Sequence, residues 1–247
     1  MNDIKGYRRI AVGEVSSFHH YALLLTHSAS EGCDIQISKK DNVETFRVKG
    51  RQQGMMAFAP STITIERGEL YFILLDFTQL AKLQVFIDKP QNRECDYKTR
   101  ALFGYMPTTF ESNPTLRDIE YWLLNYTLRR TPDIEPFSEV LRQSEWYALV
   151  SFLLTNSSQR LDILCMRYGL SASHFRRLSR RVLGNTAKGA QRDWRLGQAL
   201  LELVNSDDNL TTIAMNHGYA SLSHFSNEVK YVLGMSPRNL KKLLQAN

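Results

Sequence analysis

The chain has 247 residues, 43% of them hydrophobic and 23% charged, with a formal net charge of +6 at pH 7. That length accommodates two domains, and that composition belongs to a folded chain rather than a disordered one. Secretion, membrane spanning and a cysteine-based zinc site are all disfavoured: residues 1–14 carry Asp3, Lys5, Arg8, Arg9 and Glu14 in place of a signal's apolar core, no apolar run nears the roughly 18 residues of a span, and Cys33, Cys95 and Cys165 are dispersed.

Along the first part of the chain, short β-prone runs alternate with turn residues. Asp34–Ser38, Val43–Lys49, Met55–Ala59, Thr62–Glu66 and Glu69–Phe77 are separated by Lys40-Asp41-Asn42, Gly50 to Gly54, Pro60-Ser61 and Arg67-Gly68. Strand-length runs at that spacing predict an antiparallel sheet or a small, cupin-like barrel in a β-rich domain over residues 1–110. Tyr71–Phe77 is nearly all apolar and reads equally as a buried strand or a helix. The polar stretch Lys89–Arg100 then breaks the pattern, and Pro107, Pro114, Pro132 and Pro136 punctuate the segment after it. Thr115–Arg130 has helical periodicity, with Leu116, Ile119, Trp122, Leu123 and Tyr126 on one side. Residues 111–142 are therefore a helical linker and the candidate dimerisation region, although the same stripe serves equally as internal core. Pro136–Leu154 reads as another helix with a break near Ser144, its Trp146–Leu154 part buried, before the polar Thr155–Arg160.

Charge divides the chain. Residues 1–142 hold 18 basic and 18 acidic side chains, whereas residues 143–247 hold 13 basic and 7 acidic, nine of those cations being arginine. An asymmetry of this kind fits a nucleic-acid-binding module joined to a neutral partner. The basic half is also rich in Leu, Phe and Val, so it folds rather than trailing as a charged tail.

That basic half repeats itself. Shifted by 50, Ser173–Gly184 (SHFRRLSRRVLG) overlays Ser223–Gly234 (SHFSNEVKYVLG) with six identities in twelve positions. A shift of 49 aligns Leu161 with Leu210, Leu164 with Ile213, Cys165 with Ala214 and Gly169 with Gly218. Each copy is a short apolar helix, a turn containing glycine, and a longer helix ended by glycine, which is the layout of a helix-turn-helix. Gly169 and Gly218 fall where the chain reverses and a positive φ is commonly required. Cys165 and Ala214 fall where two helices approach closely, which makes Cys165 a packing residue rather than a reactive thiol. Thr186 and Ser236 are placed to cap further helices, with Pro237 at a first helical position.

Helical phasing assigns the faces. Phe175, Leu178 and Val182 form one stripe, opposite Arg176, Arg177, Arg180 and Arg181; in the second copy Phe225, Val229, Val232 and Leu233 face inward. Ser223, Ser226, Asn227 and Lys230 then face outward. Four arginines in six residues on an arbitrary helix would be a solvated face. On the second helix of a helix-turn-helix, in the basic part of the chain, they point to DNA. The DNA-contacting set predicted on this basis is Ser173, His174, Arg176, Arg177, Arg180, Arg181, Ser221, Ser223, Ser226, Asn227 and Lys230. Ala187–Val204 between the copies reads as one helix, with Trp194, Leu196, Ala199, Leu200 and Leu203 available for packing. Eighteen residues span about 27 Å, which sets the two second helices roughly 34 Å apart, one turn of B-DNA. The fold class is accordingly α+β: a β-rich N-terminal domain with helices, then an all-α domain over residues 143–247 of two helix-turn-helix units joined by a long helix.

This repeat resembles the DNA-binding domain of the AraC/XylS family of bacterial transcription regulators. Leu210, Ile213-Ala214, Gly218-Tyr219, Ser223, Phe225, Gly234 and Ser236-Pro237 match the family pattern in order, and Arg195-Leu196 and Ala199 of the connecting helix are family-like. Val229 stands where an aromatic is usual, and Leu240-Lys241 where a Tyr-Arg ending is common. Within the family, residues 168–183 (YGLSASHFRRLSRRVL), 216–230 (NHGYASLSHFSNEVK) and Ser144-Glu145-Trp146-Tyr147 look most like InvF-type activators of type III secretion and invasion genes. The resemblance implies a cytoplasmic activator whose partners are double-stranded promoter DNA, RNA polymerase and a type III secretion chaperone acting as co-activator, with a homodimer also in view and no membrane contact.

Two other readings stay open. The N-terminal domain is either a protein-binding and dimerising module or, as in sugar-responsive relatives, an effector-binding barrel; no convergent polar set among the strands favours the second. A DNA-modifying or repair enzyme is the rival from another class. The sequence holds no GxSxG, no HExxH and no phosphate-binding glycine loop, His19-His20 lacks a companion ligand, and Cys33 and Cys95 lack an activating context. No cofactor, metal site or catalytic residue is expected.

Overall fold

The computed structural model describes residues 6–40, 42–91, 93, 101–111, 113–129, 131, 133–156 and 159–245, without the side chains of residues 161 and 243–245. Asp41, Cys95, Arg130, Pro132 and most of the polar stretch 89–100 lie outside the described residues. The chain divides into two compact units, Met1–Ala148 and Leu149–Asn247.

The first unit is built on two long strands, β3 (Ala22–Lys39) and β6 (Ser61–Leu75), antiparallel from Leu23↔Leu75 to Ser38↔Thr62. In β3 the half Cys33–Lys39 alternates: Cys33, Ile35 and Ile37 are buried while Asp34, Gln36 and Ser38 are only partly so. That is the signature of a sheet with one covered face. The other half, Ala22–Leu25, is buried at every position. Around this spine lie β1 (Arg8–Ala11), β2 (Val15–Phe18), β4 (Asn42–Val48), β5 (Gln53–Phe58) and β7 (Phe103–Thr108), in the order β1-β6-β3-β5-β7 with β2 beside β6 and β4 beside β3. The sheet is antiparallel but open, so the predicted alternative of a closed barrel is not formed; β1 and β7 stand at its two ends. Thr62–Glu66 and Glu69–Phe77, expected as separate strands, are joined in one strand that ends at Leu75. The pairing shifts register between Ser28 and Cys33 instead of turning at Arg67-Gly68.

Glycines make that shift feasible. A Cβ on Gly32 would lie 2.6 Å from the Val48 carbonyl oxygen, one on Gly50 2.1 Å from that of Ser30, and one on Gly68 2.0 Å from that of Gly32. Backbone meets backbone here, and only hydrogen fits.

Of the two readings of the apolar run Tyr71–Phe77, the strand holds as far as Leu75, and only Phe77 opens a helix. The strand ends at Leu75, and Asp76 accepts a hydrogen bond from the Thr78 amide at 2.9 Å, capping α1 (Phe77–Asp88), which continues into a short 3-10 turn, Lys89–Gln91. Then α2 (Leu116–Leu128) is opened by a reciprocal capping box between Thr115 and Asp118. Of the stripe left open between a dimer face and internal core, Ile119, Trp122 and Leu123 are buried within the unit, whereas Leu116, in the first turn, is 44% exposed. The predicted helix Pro136–Leu154 is two, α3 (Ile134–Arg142) and α4 (Glu145–Thr155), broken at Gln143-Ser144, where the Ser144 hydroxyl accepts from the Tyr147 amide at 3.2 Å.

A buried polar hub ties these helices together. Arg142, 4% exposed, donates through Nε and Nη2 to the two carboxylate oxygens of Asp88 at 2.8 and 3.0 Å, and through Nη1 to Glu135 at 2.6 Å. Tyr147 and Gln84 also donate to Asp88, each at 3.0 Å. A bidentate, fully hydrogen-bonded pair of this kind tolerates burial where an unpaired charge would not.

Candidate nucleic-acid interface

The second unit contains the repeat as two lobes. In the first, α5 (Leu161–Tyr168) and α6 (Ala172–Leu183) meet at a turn through Gly169; in the second, α8 (Leu210–Asn216) and α9 (Leu222–Leu233) meet at a turn through Gly218. Between them runs α7 (Ala187–Asn205), capped by Thr186, which accepts from the Gly189 amide at 3.1 Å. After the second lobe comes α10 (Pro237–Gln245), where Ser236 accepts from the Asn239 amide at 3.2 Å.

Each lobe closes on a small side chain and a phenylalanine. Cys165 and Ala214 are buried where the helices cross, and Phe175 and Phe225 are both fully buried. In the first lobe the rings of Phe152, Tyr168 and Phe175 form a continuous contact, at 5.0 and 5.7 Å between centroids. In the second, Phe225 and Val229 pack with Leu196, Ala199 and Leu203 of α7. Both α6 and α9 start on a serine cap, Ser171 and Ser221, accepting from the amides of His174 and His224 at 3.3 and 3.1 Å. They end on Gly184 and Gly234, at φ of 66° and 72°. A Cβ at either glycine would meet nothing within 4 Å, so the left-handed conformation, not space, sets the residue.

The predicted site residues fall on two surfaces. Ser173, His174, Arg176, Arg177, Arg180 and Arg181 are all exposed on α6. Among the described residues no carboxylate lies within ion-pair distance of Arg176, Arg177 or Arg180. All four arginines, with Thr186, Ala187 and Lys188, line a concavity of about 900 Å³. On α9, Ser223, Asn227 and Lys230 are exposed, while Ser226 is half-buried and Ser221 is engaged as the cap. Leu178 is half-buried, with Ser179 buried beside it. Val232 and Leu233, predicted to face inward, are 54% and 41% exposed. The inward stripe of α9 is carried by Phe225 and Val229 one turn earlier, so the last turn projects beyond its lobe.

Three cations, Lys188, Arg192 and Arg195, escaped the repeat comparison because they lie between the copies. Arg160, Arg176, Lys188, Arg192, Arg195 and His224 line a second concavity, of about 910 Å³, spanning α6, α7 and the start of α9. The spacing of Lys188 and Arg192, one turn apart on α7, is the sequence signal that locates them. The Arg195 guanidinium lies over the Tyr219 ring, 4.7 Å from its centroid. Burial, aided by the charge of Glu228, pushes the Tyr219 phenol up to about 12. Glu202 accepts from the Asn216 amide group at 2.8 Å and meets His217 at 2.5 Å, fastening α8 to α7. The Asn216 bond first, then His217, holds the Glu202 carboxyl below its usual range.

No group of three or more His, Cys, Asp or Glu placed to hold a metal occurs among the described residues. Cys33 is buried, and burial raises its thiol to about 12. No helix among the described residues is long and apolar enough to cross a membrane.

Comparison with known proteins bears on this geometry. A helix-turn-helix domain family model matches residues 164–243. The chain is 36% identical to the invasion protein InvF of Salmonella typhi, and equally to that of Salmonella typhimurium, over 78% of this chain and 92% of InvF. It is also 36% identical to the transcriptional regulator MxiE of Shigella flexneri, over 49% of this chain and 60% of MxiE. Among solved structures, ToxT from Vibrio cholerae is similar with a TM-score of 0.36 and 10% identity, over 96% of this chain and 98% of that one. With paired helix-turn-helix lobes and a relative matched over nearly its whole length, the chain belongs to the AraC family of DNA-binding transcription regulators.

Proposed function

We propose that this regulator is a cytoplasmic activator of type III secretion and invasion operons, acting by insertion of α6 and α9 into successive major grooves of its promoters. The observation that carries the reading is α6 itself: four exposed arginines on the second helix of a helix-turn-helix, in a chain related to an invasion protein. Arg176, Arg177, Arg180 and Arg181 take backbone phosphates and bidentate guanine contacts, Asn227 reads adenine, and Ser173, His174, Ser221, Ser223, Ser226 and Lys230 fix the helices on the duplex. The 19 residues of α7 extend about 28 Å, in keeping with second helices one helical turn of DNA apart. Residues 1–110 recruit a type III secretion chaperone as co-activator, the helical segment 111–142 provides the dimer contact, residues 143–247 bind the promoter, and RNA polymerase is the downstream partner.

Two experiments test this. Chromatin immunoprecipitation of the full chain from its native cell should recover DNA upstream of secretion operons, and even coverage of the chromosome would overturn the reading. Co-purification should bring down RNA polymerase and a small secretion chaperone; a chain that activates without any such chaperone would remove that part alone.

A further inference from the structure

The concavity between the lobes contains its own source of restraint. Lys188 and Arg192 stand four residues apart on one face of α7, both exposed, beside Arg176 of α6 and His224 of α9. Arg192 is not left to solvent alone. Its Nη2 lies 3.4 Å from the exposed carboxylate of Asp193 next to it, and its Nε lies 3.6 Å from Oε1 of Glu228, a carboxylate on α9 whose side chain is only 10% exposed. Arg195, further along α7, is held over the Tyr219 ring. By contrast Arg176, Arg177 and Arg180 on α6 have no such neighbour among the described residues.

A largely desolvated carboxylate so close to an exposed guanidinium cancels part of its field, and any anion arriving at Arg192 competes with it. We infer that this concavity is a third anion seat, in which Lys188 and Arg192 take a phosphate of the DNA backbone lying between the two grooves, and that Glu228 is its internal counter-ion. The inference rests on the proposed DNA binding and adds to it the residues that set absolute affinity. Phosphate contacts carry no sequence information. Glu228 therefore lowers affinity for every duplex alike and leaves sequence choice to α6 and α9.

The test uses the full chain and two labelled duplexes of about 30 base pairs, one enriched by the chain from a random library and one a scramble of it, titrated by fluorescence anisotropy across a salt series. Lys188→Ala/Arg192→Ala should weaken both duplexes by a similar factor and make the dependence of log K on log salt shallower by about 1 to 2. Glu228→Gln should act in the opposite sense, tightening both by roughly 3- to 10-fold and steepening the slope by about 1, while Glu228→Asp matches the parent. Adding Glu228→Gln to Arg192→Ala should then tighten binding less than Glu228→Gln does alone. An unchanged slope in the lysine–arginine double variant overturns the seat. Weaker binding by Glu228→Gln, with or without a lowered melting temperature, overturns the counter-ion role. A parent chain that does not distinguish the two duplexes fails earlier, and fails the proposed function instead.

Discussion

The two helix-turn-helix lobes are alike inside and unlike outside. Both keep a small residue at the crossing, a buried phenylalanine, a serine cap and a left-handed glycine end. Outside, α6 presents arginine at four of six successive positions, whereas α9 presents Ser223, Asn227 and Lys230 and tucks Glu228 beneath Arg192. Even the matched valines part company: Val182 is fully buried and Val232 is 54% exposed. The features that recur between the copies are those that closing a lobe requires, and the features that vary are those each lobe shows to solvent. On the proposed contacts, the first lobe brings most of the charge and both lobes bring groups able to read bases.

That contrast can be broken or sharpened, beginning with the interior it takes as equal. Phe175→Ala and Phe225→Ala should each cost about 3–5 kcal/mol, with hydrogen exchange rising in the substituted lobe; equal rises in both would mean that the lobes do not close separately. On the outside, if roughly six phosphates are neutralised, the salt slope lies near −5. Replacing all four α6 arginines by alanine should remove about 3 from that slope, while Ser223→Ala/Asn227→Ala should leave it and weaken sequence preference in the second half-site. Swapped outcomes would reverse the roles of the lobes. Arg177→Ala alone should cost about 1–3 kcal/mol on the preferred duplex if it reads a base; the same loss on every duplex would assign it to the backbone.

Smaller effects are expected at the caps and the clamp. Gly184→Ala and Gly234→Ala should each destabilise by about 1 kcal/mol, measured by chemical denaturation, because both glycines hold the same backbone conformation. Glu202→Gln probes a feature of the second lobe. Because the folded state lowers this carboxyl's pKa, the clamp contributes in full above the unfolded value and fades as pH falls through the folded one. Parent and variant should thus differ in melting temperature at neutral pH and converge in acid, and a gap that persists in acid would exclude the ionised carboxylate as its cause.

The lobes are legible in the sequence because their demands are local: a glycine where φ is positive, a small side chain at a crossing, a hydroxyl at a cap. Phasing overstates burial at the ends of helices, at Leu116 in the first turn of α2 and at Val232 and Leu233 in the last turn of α9, since periodicity says which face a residue is on but not where the neighbouring helix ends. The first unit is harder to read. Nothing local marks β1, β2, β7 or the first half of β3, and the bent pairing of β3 with β6 depends on contacts between residues far apart in sequence. α1 is concealed by an apolar run in which a single capping residue, Asp76, divides strand from helix. Lys188, Arg192 and Arg195, which line the second concavity, lie in the connector, which a comparison of copies passes over.

Where β3 and β6 shift register, Gly32, Gly50 and Gly68 each face main-chain oxygen rather than a side chain. A core leucine that is lost leaves a void that neighbours partly refill, but a peptide oxygen cannot be swapped for something smaller. Second-site changes of side chain cannot make room for a methyl group there, so deep mutational scanning of this unit should find these three glycines among its most intolerant sites, although they contribute no side chain at all.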